Sequence, residues 1–419
     1  MADGVNEVDS SHSSWINRDL LEHIMSIKLK KDVAVTKFEV REAVPKGENY
    51  LSVLHRVEID YKEDQSNEEN KYSMIIKSPP EGEVMREHLE DIQGFQKESF
   101  MYTDVLPIMY RFIRYKKGDV DQFSASWLPC SKGDKIIVME DLKHLDYKMG
   151  DRKVGLDLDH CKIALRGLAR FHVASFAAFE LLYPKMEEMY VEGIYKDHQD
   201  EEKRRLFERS IKNDLESLAS AVETWPGYEK YGDKLRNLIP TCAKRMADVV
   251  KPKRKALNVV NHGDFWVNNV LFHYNPQSGK VDDVRFIDFQ LARYSSPALD
   301  LQYFMCICPN DDVRFQQKDT LLEEYYSEFT EYWRILVQGP YITLEQLKEE
   351  YEEKNFFGLI IACTILSYLL AEKEDLPDTK NLSEDDLKVN AFNKKALTEK
   401  RFKEIFQKLL VYYDEKGII

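Results

Sequence analysis

Two carboxylates and one amide stand at spacings that suit the transfer of a phosphoryl group. Asp264 and Asn269 belong to the segment His262–Asn269, which we call the catalytic loop, and Asp288 follows in the apolar run Ile287–Phe289. In phosphoryl transfer one carboxylate orients the attacking hydroxyl, while an amide oxygen and a second carboxylate hold magnesium on the phosphates. We therefore predict that Asp264 is the catalytic base and that Asn269, also a catalytic residue, and Asp288 bind Mg²⁺.

Each of these assignments has a structural alternative. An aspartate in a turn or at a helix N-terminus would explain Asp264 or Asp288 without catalysis. Asn268 stands beside Asn269, but only Asn269 has the D-x-x-x-x-N spacing from Asp264. His262 is expected to orient the loop through hydrogen bonds rather than to ionise during the reaction.

Other residues near the loop are expected to support it or to pack in the core. Asp300 is predicted to be a buried carboxylate that accepts backbone N–H groups of the catalytic loop. His172 lies on an apolar helix face and is interpreted as a core histidine. Trp266, Tyr303 and Phe304 could line an apolar substrate pocket, or they could equally be core residues.

A cation that binds the phosphates is needed upstream of the catalytic loop. Lys77 ends the apolar stretch 74–77, where burial of an unpaired ammonium group would be costly. We predict that Glu98, on the helix that follows, pairs with Lys77. Glu87 and Glu90 are competing partners, and a surface lysine on an edge strand is the alternative for Lys77.

The phosphate-covering loop and the adenine contact have weaker signals. The turn after the first strand has a single glycine, Gly47, and together with Asn49 and Ser52 it could lay backbone N–H groups over the phosphates. An ordinary hairpin turn explains this segment nearly as well. Glu140 and Leu142 lie where the sheet region gives way to the helical region, and we expect the backbone there to contact the adenine edge.

The elements that position these residues fall into two regions. Strands are predicted at 33–44, 51–61, 72–77, 122–127 and 136–139, with one helix at 83–106 that ends before Pro107. Helices are predicted at 157–180, 199–223, 228–250, 315–336, 344–372 and 395–415, with short strands around Val259, Leu271 and Phe286 and a capping box at Ser383–Asp386. We therefore predict an α+β fold with two domains. Residues 1–139 form an N-terminal extension and a small antiparallel sheet with one packed helix, and residues 140–419 form a large helical part.

The bulk composition limits the classes of function. The chain has 419 residues and a net charge of −14, which argues against a general nucleic-acid-binding protein. None of the six cysteines forms a CxxC pair, which favours free thiols over a zinc site or a disulfide framework. The N-terminus has no signal-peptide pattern, and the apolar run 356–371 is short for a membrane span. We expect a cytoplasmic monomer without membrane or nucleic-acid partners.

Together the motifs resemble the ecdysteroid-kinase-like family, also called choline-kinase-like, within the aminoglycoside and choline phosphotransferase superfamily. The resemblance rests on H-G-D-F-W-V-N-N at 262–269, I-D-F-Q at 287–290, P-A-L-D-L at 297–301, I-I-K at 75–77 and G-E-N-Y at 47–50. It implies a protein-kinase-like fold of two lobes with ATP in the cleft between them. By residue, Asp264 matches the base, Asn269 and Asp288 the metal ligands, Lys77 the phosphate lysine and Glu98 its partner.

The resemblance also implies a function, which is phosphorylation of a hydroxyl on a small molecule such as an ecdysteroid or a plant or xenobiotic compound. Gln290 stands where protein kinases have the glycine of the DFG motif, and no A-P-E segment follows, which argues against a protein substrate. Two alternatives stay open. One is a choline or ethanolamine kinase, and the other is a kinase-fold binding protein without catalysis.

Overall fold

The computed structural model describes residues 14–43, 52–64, 66, 68–80, 83–130, 136–191, 193–198, 200–254, 256–371 and 396–419. An antiparallel sheet occupies the first third of the chain, and helices dominate the remainder. The α+β fold class predicted from the sequence, with a small sheet region and a large helical region, is confirmed. The predicted domain boundary at 139/140 falls inside the last strand of the sheet and stays a prediction.

Four antiparallel strands form the sheet in the order β1 (Val33–Glu42), β2 (Val53–Glu63), β3 (Asn70–Ser78) and β4 (Ile137–Glu140). Side chains along β2 alternate between the two faces, as the period of a strand requires. Helix α1 (Arg18–Leu29), capped by Asn17, buries its apolar side against residues of all four strands. This small apolar core supports β3, which carries Lys77.

The helical segment between β3 and β4 is broken, although the sequence predicted one continuous helix. It consists of α2 (Glu83–Asp91), α3 (Gly94–Phe100), a π-helix (Met101–Val105) and α4 (Leu106–Lys117). The prediction that helix ends before Pro107 is wrong. The π-turn bonds the Leu106 N–H to the Met101 carbonyl, so the hydrogen-bond register shifts. Pro107 then lies in the first turn of α4, where its missing N–H costs little.

The predicted strand 122–127 is also wrong. Ser124 makes an isolated bridge to Phe286, and Trp127 makes another to Met139. The segment therefore contacts two different strands at single positions. Each bridge involves a single residue pair, so this segment does not form a continuous ladder with either strand.

The helical region follows β4. Its helices are α5 (Leu158–Leu182), α6 (Lys185–Tyr190), α7 (Glu201–Val222), α8 (Lys230–Val249), α9 (Ala298–Ile307), α10 (Asp311–Gln316), α11 (Lys318–Leu336), α12 (Leu344–Glu353), α13 (Asn355–Leu370) and α14 (Lys400–Glu415). Its strands are β5 (Lys148–Met149), β6 (Val259–Asn261), β7 (Val270–Tyr274), β8 (Val281–Phe286) and β9 (Arg293–Ser295), paired as β5-β7-β8 and β6-β9. The catalytic loop connects β6 to β7.

Two helix predictions in this region need correction. The predicted helix 344–372 is divided into α12 and α13, which meet at a bend of 52°. Helix α9 was not predicted, because its residues are buried on every side and show no amphipathic period. The predicted capping box at Ser383–Asp386 lies outside the described residues.

The apolar helix α13 is a core helix. Most of its side chains are buried in the main apolar core, as the sequence predicted. Within the described ranges no single helix has the length and apolar character to cross a membrane, although the bent pair of α12 and α13 meets that test jointly. All six cysteines are free thiols, and five of them are buried.

Candidate active site

A cleft of about 420 Å³ opens between the N-terminal sheet and the helical region. Its lining brings together Lys77 and Asp288, which are 211 positions apart in the chain. Five of them are the predicted phosphate, metal and base residues: Lys77, Glu98, Asp264, Asn269 and Asp288. The catalytic loop and strand β3 therefore face one another across this cleft.

Lys77 is buried between two carboxylates. Its Nζ lies 2.5 Å from Glu98 Oε2 and 2.9 Å from Asp288 Oδ1. Burial works to lower the pKa of Lys77, but the two carboxylates outweigh it and raise that pKa. Burial, together with the nearby negative charge of Asp288, raises the pKa of Glu98 to about 7, although the ammonium group of Lys77 opposes this shift. The predicted pairing with Glu98 is present, whereas Glu87 and Glu90 are exposed.

Asp300, on α9, anchors the catalytic loop. Its carboxylate accepts the backbone N–H of His262 at 2.6 Å and that of Gly263 at 2.9 Å, as the sequence predicted. The buried ring of His172 lies 3.1 Å from the same carboxylate and 2.8 Å from the hydroxyl of Tyr325. This network connects the loop to α5, α9 and α11.

The loop turns sharply at Gly263, whose φ of 81° is in the left-handed region. A Cβ at this position would lie 1.9 Å from the carbonyl oxygen of Leu291, so only glycine fits. The His262 ring bonds to the Ile287 carbonyl at 3.0 Å through Nε2, and Nδ1 accepts the Asp264 N–H at 3.4 Å. Burial lowers the pKa of His262, which agrees with an orienting role for a neutral ring.

Both carboxylate oxygens of Asp264 are held in place. The Tyr303 hydroxyl donates to Oδ1 at 2.7 Å, and the side-chain amide of Asn269 donates to Oδ2 at 2.9 Å. Burial, together with the nearby charge of Asp288, raises the pKa of Asp264 to about 6. A carboxylate with this pKa is ionised at neutral pH and accepts a proton more readily than an exposed one.

Asp288 follows β8 and has a strained backbone. Its φ of 69° lies in a region that residues other than glycine seldom adopt, and such residues cluster at functional sites. One carboxylate oxygen contacts Lys77, and the other is 3.4 Å from the side-chain amide of Gln290. The backbone thus aims this carboxylate into the cleft beside the lysine.

The oxygen donors in the cleft fit a magnesium ion. Asn269 donates its side-chain N–H groups to the carbonyl and the carboxylate of Asp264, so its side-chain oxygen stays available as a ligand. Beside these donors, the carboxyl groups of Glu98 and Asp288 share the single ammonium group of Lys77. In the part of the chain that the structure describes, no three His, Cys, Asp or Glu side chains form a metal cluster. Magnesium commonly takes one or two protein ligands and completes its shell with water and phosphate oxygens.

The remaining predicted nucleotide contacts are brought together only in part. Glu140 and Leu142 line the cleft where β4 passes into the helical region. Ser52 is buried, and it is not among the described residues that line the cleft. Gly47 and Asn49 lie outside the described residues. The nucleotide roles of these five residues stay predictions.

Tyr303 contacts the candidate base, a role that the sequence did not predict. Of the three aromatic residues considered for a pocket, Trp266 lines the cleft and Phe304 is a core residue. Tyr303 stands three residues after Asp300, so the two side chains share one face of a helix. A correct prediction of α9 would therefore have placed Tyr303 at the catalytic loop.

The comparisons with known proteins identify the family. The model of the ecdysteroid kinase-like family matches residues 46–337, a range that includes both sides of the cleft. The chain belongs to the ecdysteroid kinase-like family. No curated protein matches it. Among solved structures, a glucosamine kinase is similar over 92% of this chain and 90% of its own, with 12% sequence identity and a TM-score of 0.26.

This ecdysteroid kinase-like protein shares one arrangement with protein kinases. In both, a lysine on the third strand pairs with a glutamate on the helix that follows, and an aspartate after a later strand approaches that lysine. Gln290 stands two residues after Asp288, where protein kinases have a glycine. The cleft is therefore kinase-like without the DFG sequence.

Proposed function

We propose that the protein is a small-molecule kinase that transfers the γ-phosphoryl group of ATP to a hydroxyl group. The observation that carries this proposal is the meeting of Asp264, Asn269 and Asp288 with the Lys77–Glu98 pair in one cleft. These side chains supply a base, a cation for the phosphates and oxygen ligands for a metal. Phosphoryl transfer needs all three, and positioning and charge stabilisation account for nearly all of its catalysis.

The proposed roles follow from the contacts of each residue. As the acceptor oxygen bonds to the γ-phosphorus, the bond from that phosphorus to the departing ADP oxygen breaks, and the hydroxyl proton passes to Asp264. Lys77 binds the phosphates, and Glu98 fixes its position. Asn269 and Asp288 hold Mg²⁺, which would neutralise charge on the phosphates. The raised pKa of Asp264 suits a residue that must accept a proton.

We propose a lipophilic alcohol of the ecdysteroid or xenobiotic kind as the acceptor, which would make the protein an enzyme of detoxification or hormone inactivation. Membership of the ecdysteroid kinase-like family supports this choice. We also propose that the protein works as a monomer in the cytosol, without nucleic-acid or membrane partners. The six free cysteines support a reducing compartment.

The test is magnesium-dependent ATP consumption by the purified protein with a panel of acceptors. The panel contains ecdysone, 20-hydroxyecdysone, plant phenols, choline and ethanolamine, and the Asp264→Ala variant is the blank. We expect a lipophilic alcohol to stimulate ADP formation. The stimulated rate should be at least about 100-fold lower in the variant than in the wild type. Stimulation by choline alone would change the acceptor class. No stimulation by any acceptor, with Mg²⁺ and ATP still bound, would contradict the kinase and favour a binding protein.

A further inference from the structure

A second cavity, of about 110 Å³, adjoins the cleft at Asp264, a residue that lines both spaces. We propose, on the basis of the kinase activity proposed above, that this cavity is the acceptor subsite. It takes the compact, uncharged, apolar end of an alcohol, while the rest of the acceptor molecule stays outside.

The position of Asp264 between the two cavities suits transfer from one to the other. Lys77 and Asp288 line the cleft and are not among the described residues that line the second cavity. Gly263 and Tyr303 line the second cavity and not the described part of the cleft. A hydroxyl in the second cavity would therefore reach the carboxylate from a side that the phosphate-binding residues do not occupy.

Apolar side chains form most of the wall of the second cavity. They come from the loop before α7, the end of α8, the segment after Asp288, and helices α9 and α13: Ile194, Val250, Leu291, Leu299, Phe357 and Ile365. Tyr195 and Tyr303 add two aromatic residues to the wall. Binding in such a site draws mainly on burial of apolar surface, and the few polar groups set the orientation of the ligand.

The wall also contains two carboxylates and one cation, and both carboxylates already accept hydrogen bonds from within the protein. The carboxylate of Asp300 is bonded to backbone N–H groups of the catalytic loop and lies beside His172. Arg293 is buried, and its guanidinium donates to the carbonyl of Tyr195 at 3.3 Å. A Cβ at Gly193 would lie 2.4 Å from this guanidinium, so the glycine lets the loop pack closely against it. Arg293 thus places a permanent positive charge in the wall, opposite in sign to Asp264.

The volume of the cavity limits what can enter. Pockets that enclose a drug-sized ligand have volumes of roughly 300–1,000 Å³. At about 110 Å³, this cavity is too small for a fused-ring body but accommodates a branched alkyl group. The acceptor is therefore selected by the end that carries the reacting hydroxyl.

Two compounds of the same shape test the charge preference. Choline carries a trimethylammonium group where 3,3-dimethylbutan-1-ol carries an uncharged tert-butyl group. Binding of each to the full chain is measured by titration with ligand-observed saturation-transfer NMR. We expect the neutral alcohol to bind at least about tenfold more tightly, because only its end group gains from apolar burial without meeting Arg293. Choline binding as tightly as the alcohol would instead indicate an aromatic cage for a cation and would overturn the proposal.

Cavity-filling variants test the location. Ile194→Trp and Ile365→Trp fill the same space from two different elements, and Leu206→Trp, at an exposed position on α7, is the control. We expect each filling variant to weaken binding of 3,3-dimethylbutan-1-ol at least about tenfold, and the control to bind as the wild type does. Near-ultraviolet circular dichroism checks that each variant is folded.

The outcomes separate this proposal from the proposed function. Unchanged binding in both filling variants, or no binding to the wild type, would overturn the assignment of the cavity. If both filling variants fold and still phosphorylate the alcohol, the assignment of the cavity would be overturned too, while the kinase function would stand. Binding that the filling variants lose, without any magnesium-dependent phosphorylation of this alcohol in the wild type, would overturn the acceptor role, whereas the kinase function is decided by the acceptor panel.

Discussion

Asp264 gains its proposed reactivity from its surroundings rather than from its residue type. Burial and the charge of Asp288 raise its pKa to about 6, and hydrogen bonds from Tyr303 and Asn269 fix both of its oxygens. An aspartate in an exposed turn, the structural alternative, would have neither feature. The geometry therefore favours the catalytic interpretation of this residue.

Tyr303→Phe tests whether the hydroxyl on Asp264 matters for positioning. The ring keeps its packing, but one hydrogen bond to a charged acceptor is lost. We expect kcat for phosphoryl transfer to fall about tenfold, with the KM for ATP unchanged. Tyr332→Phe is the matched control. The Tyr332 hydroxyl also donates to a carboxylate, that of Asp121 at 2.6 Å, but this pair does not line the cleft. Equal effects of the two substitutions on kcat would contradict the positioning role.

Gly263→Ala tests the turn of the catalytic loop. The new Cβ would collide with the Leu291 carbonyl, and the left-handed backbone adds strain. We expect a loss of unfolding free energy of at least about 2 kcal/mol, measured by denaturant titration, and no detectable transfer. Gly279→Ala is the control, since Gly279 also has a positive φ but meets no neighbouring atoms. It should lose only about 1 kcal/mol, and an equal loss in both variants would show that the close contact is unimportant.

At the residue scale the sequence predicted those contacts that follow from the cost of burial. Lys77 in an apolar strand needed a partner, and Glu98 was the partner chosen. Tyr303 had no such signal, because its contact with Asp264 depends on a helix that brings residues 264 and 303 together. The strained φ of Asp288 likewise has no mark in the residue type.

At the scale of elements, α9 is the helix that holds the catalytic loop. Asp300, in its first turn, bonds to two loop N–H groups and lies against His172 of α5. The loop therefore depends on the packing of α9, whose buried apolar residues contact α12 and α13. The sequence did not predict this helix. Because it is buried on every side, its residues show no amphipathic pattern.

Asp300→Ala tests this anchor. Removal of the carboxylate leaves one buried and one partly buried N–H group without their acceptor, so we expect a loss of about 3 kcal/mol in unfolding free energy. Asp319→Ala is the control, because Asp319 is exposed and pairs with the surface residue Lys348. It should change stability by less than about 0.5 kcal/mol. Similar losses in the two variants, measured by denaturant unfolding, would contradict the anchoring role of Asp300.

At the scale of the whole molecule, Asp141 joins the sheet to the helical region. Its buried carboxylate lies 2.7 Å from Arg56 of β2 and 2.8 Å from the hydroxyl of Ser73 of β3. It also accepts the backbone N–H of Lys143, in the first turn after the sheet. Burial works to raise the pKa of Asp141, but the bonds from Arg56 and Ser73 outweigh it and lower that pKa.

The lowered pKa of Asp141 predicts a pH-dependent stability. Its contribution is fully present above the unfolded-state pKa of about 3.9 and is lost as the pH falls through the lower folded-state pKa. We expect Asp141→Asn to reduce the unfolding free energy at pH 7 by about 2 kcal/mol. The difference from the wild type should shrink in denaturant titrations at pH 3. A difference that stays constant between pH 7 and pH 3 would contradict the role of this ion pair.

The overall architecture was predictable from two patterns. Alternation of polar and apolar residues marks strands, and apolar residues that recur every three to four positions mark helices. The fold class and most long helices followed from those patterns. The breaks did not, since the π-helix before Pro107 and the bend between α12 and α13 depend on tertiary packing rather than on local period. The cleft itself depends on contacts across more than 200 positions, which periodicity cannot specify.

We propose that Asp288 serves the metal and the nucleotide, while Asp264 serves the acceptor. Calorimetric titration of ATP, with and without Mg²⁺, into the wild type, Asp264→Ala and Asp288→Ala tests it most directly. We expect Mg²⁺ to tighten ATP binding at least about tenfold in the wild type and in Asp264→Ala, and to have no such effect in Asp288→Ala. Magnesium-dependent binding that survives in Asp288→Ala, or its absence from the wild type, would contradict the claim.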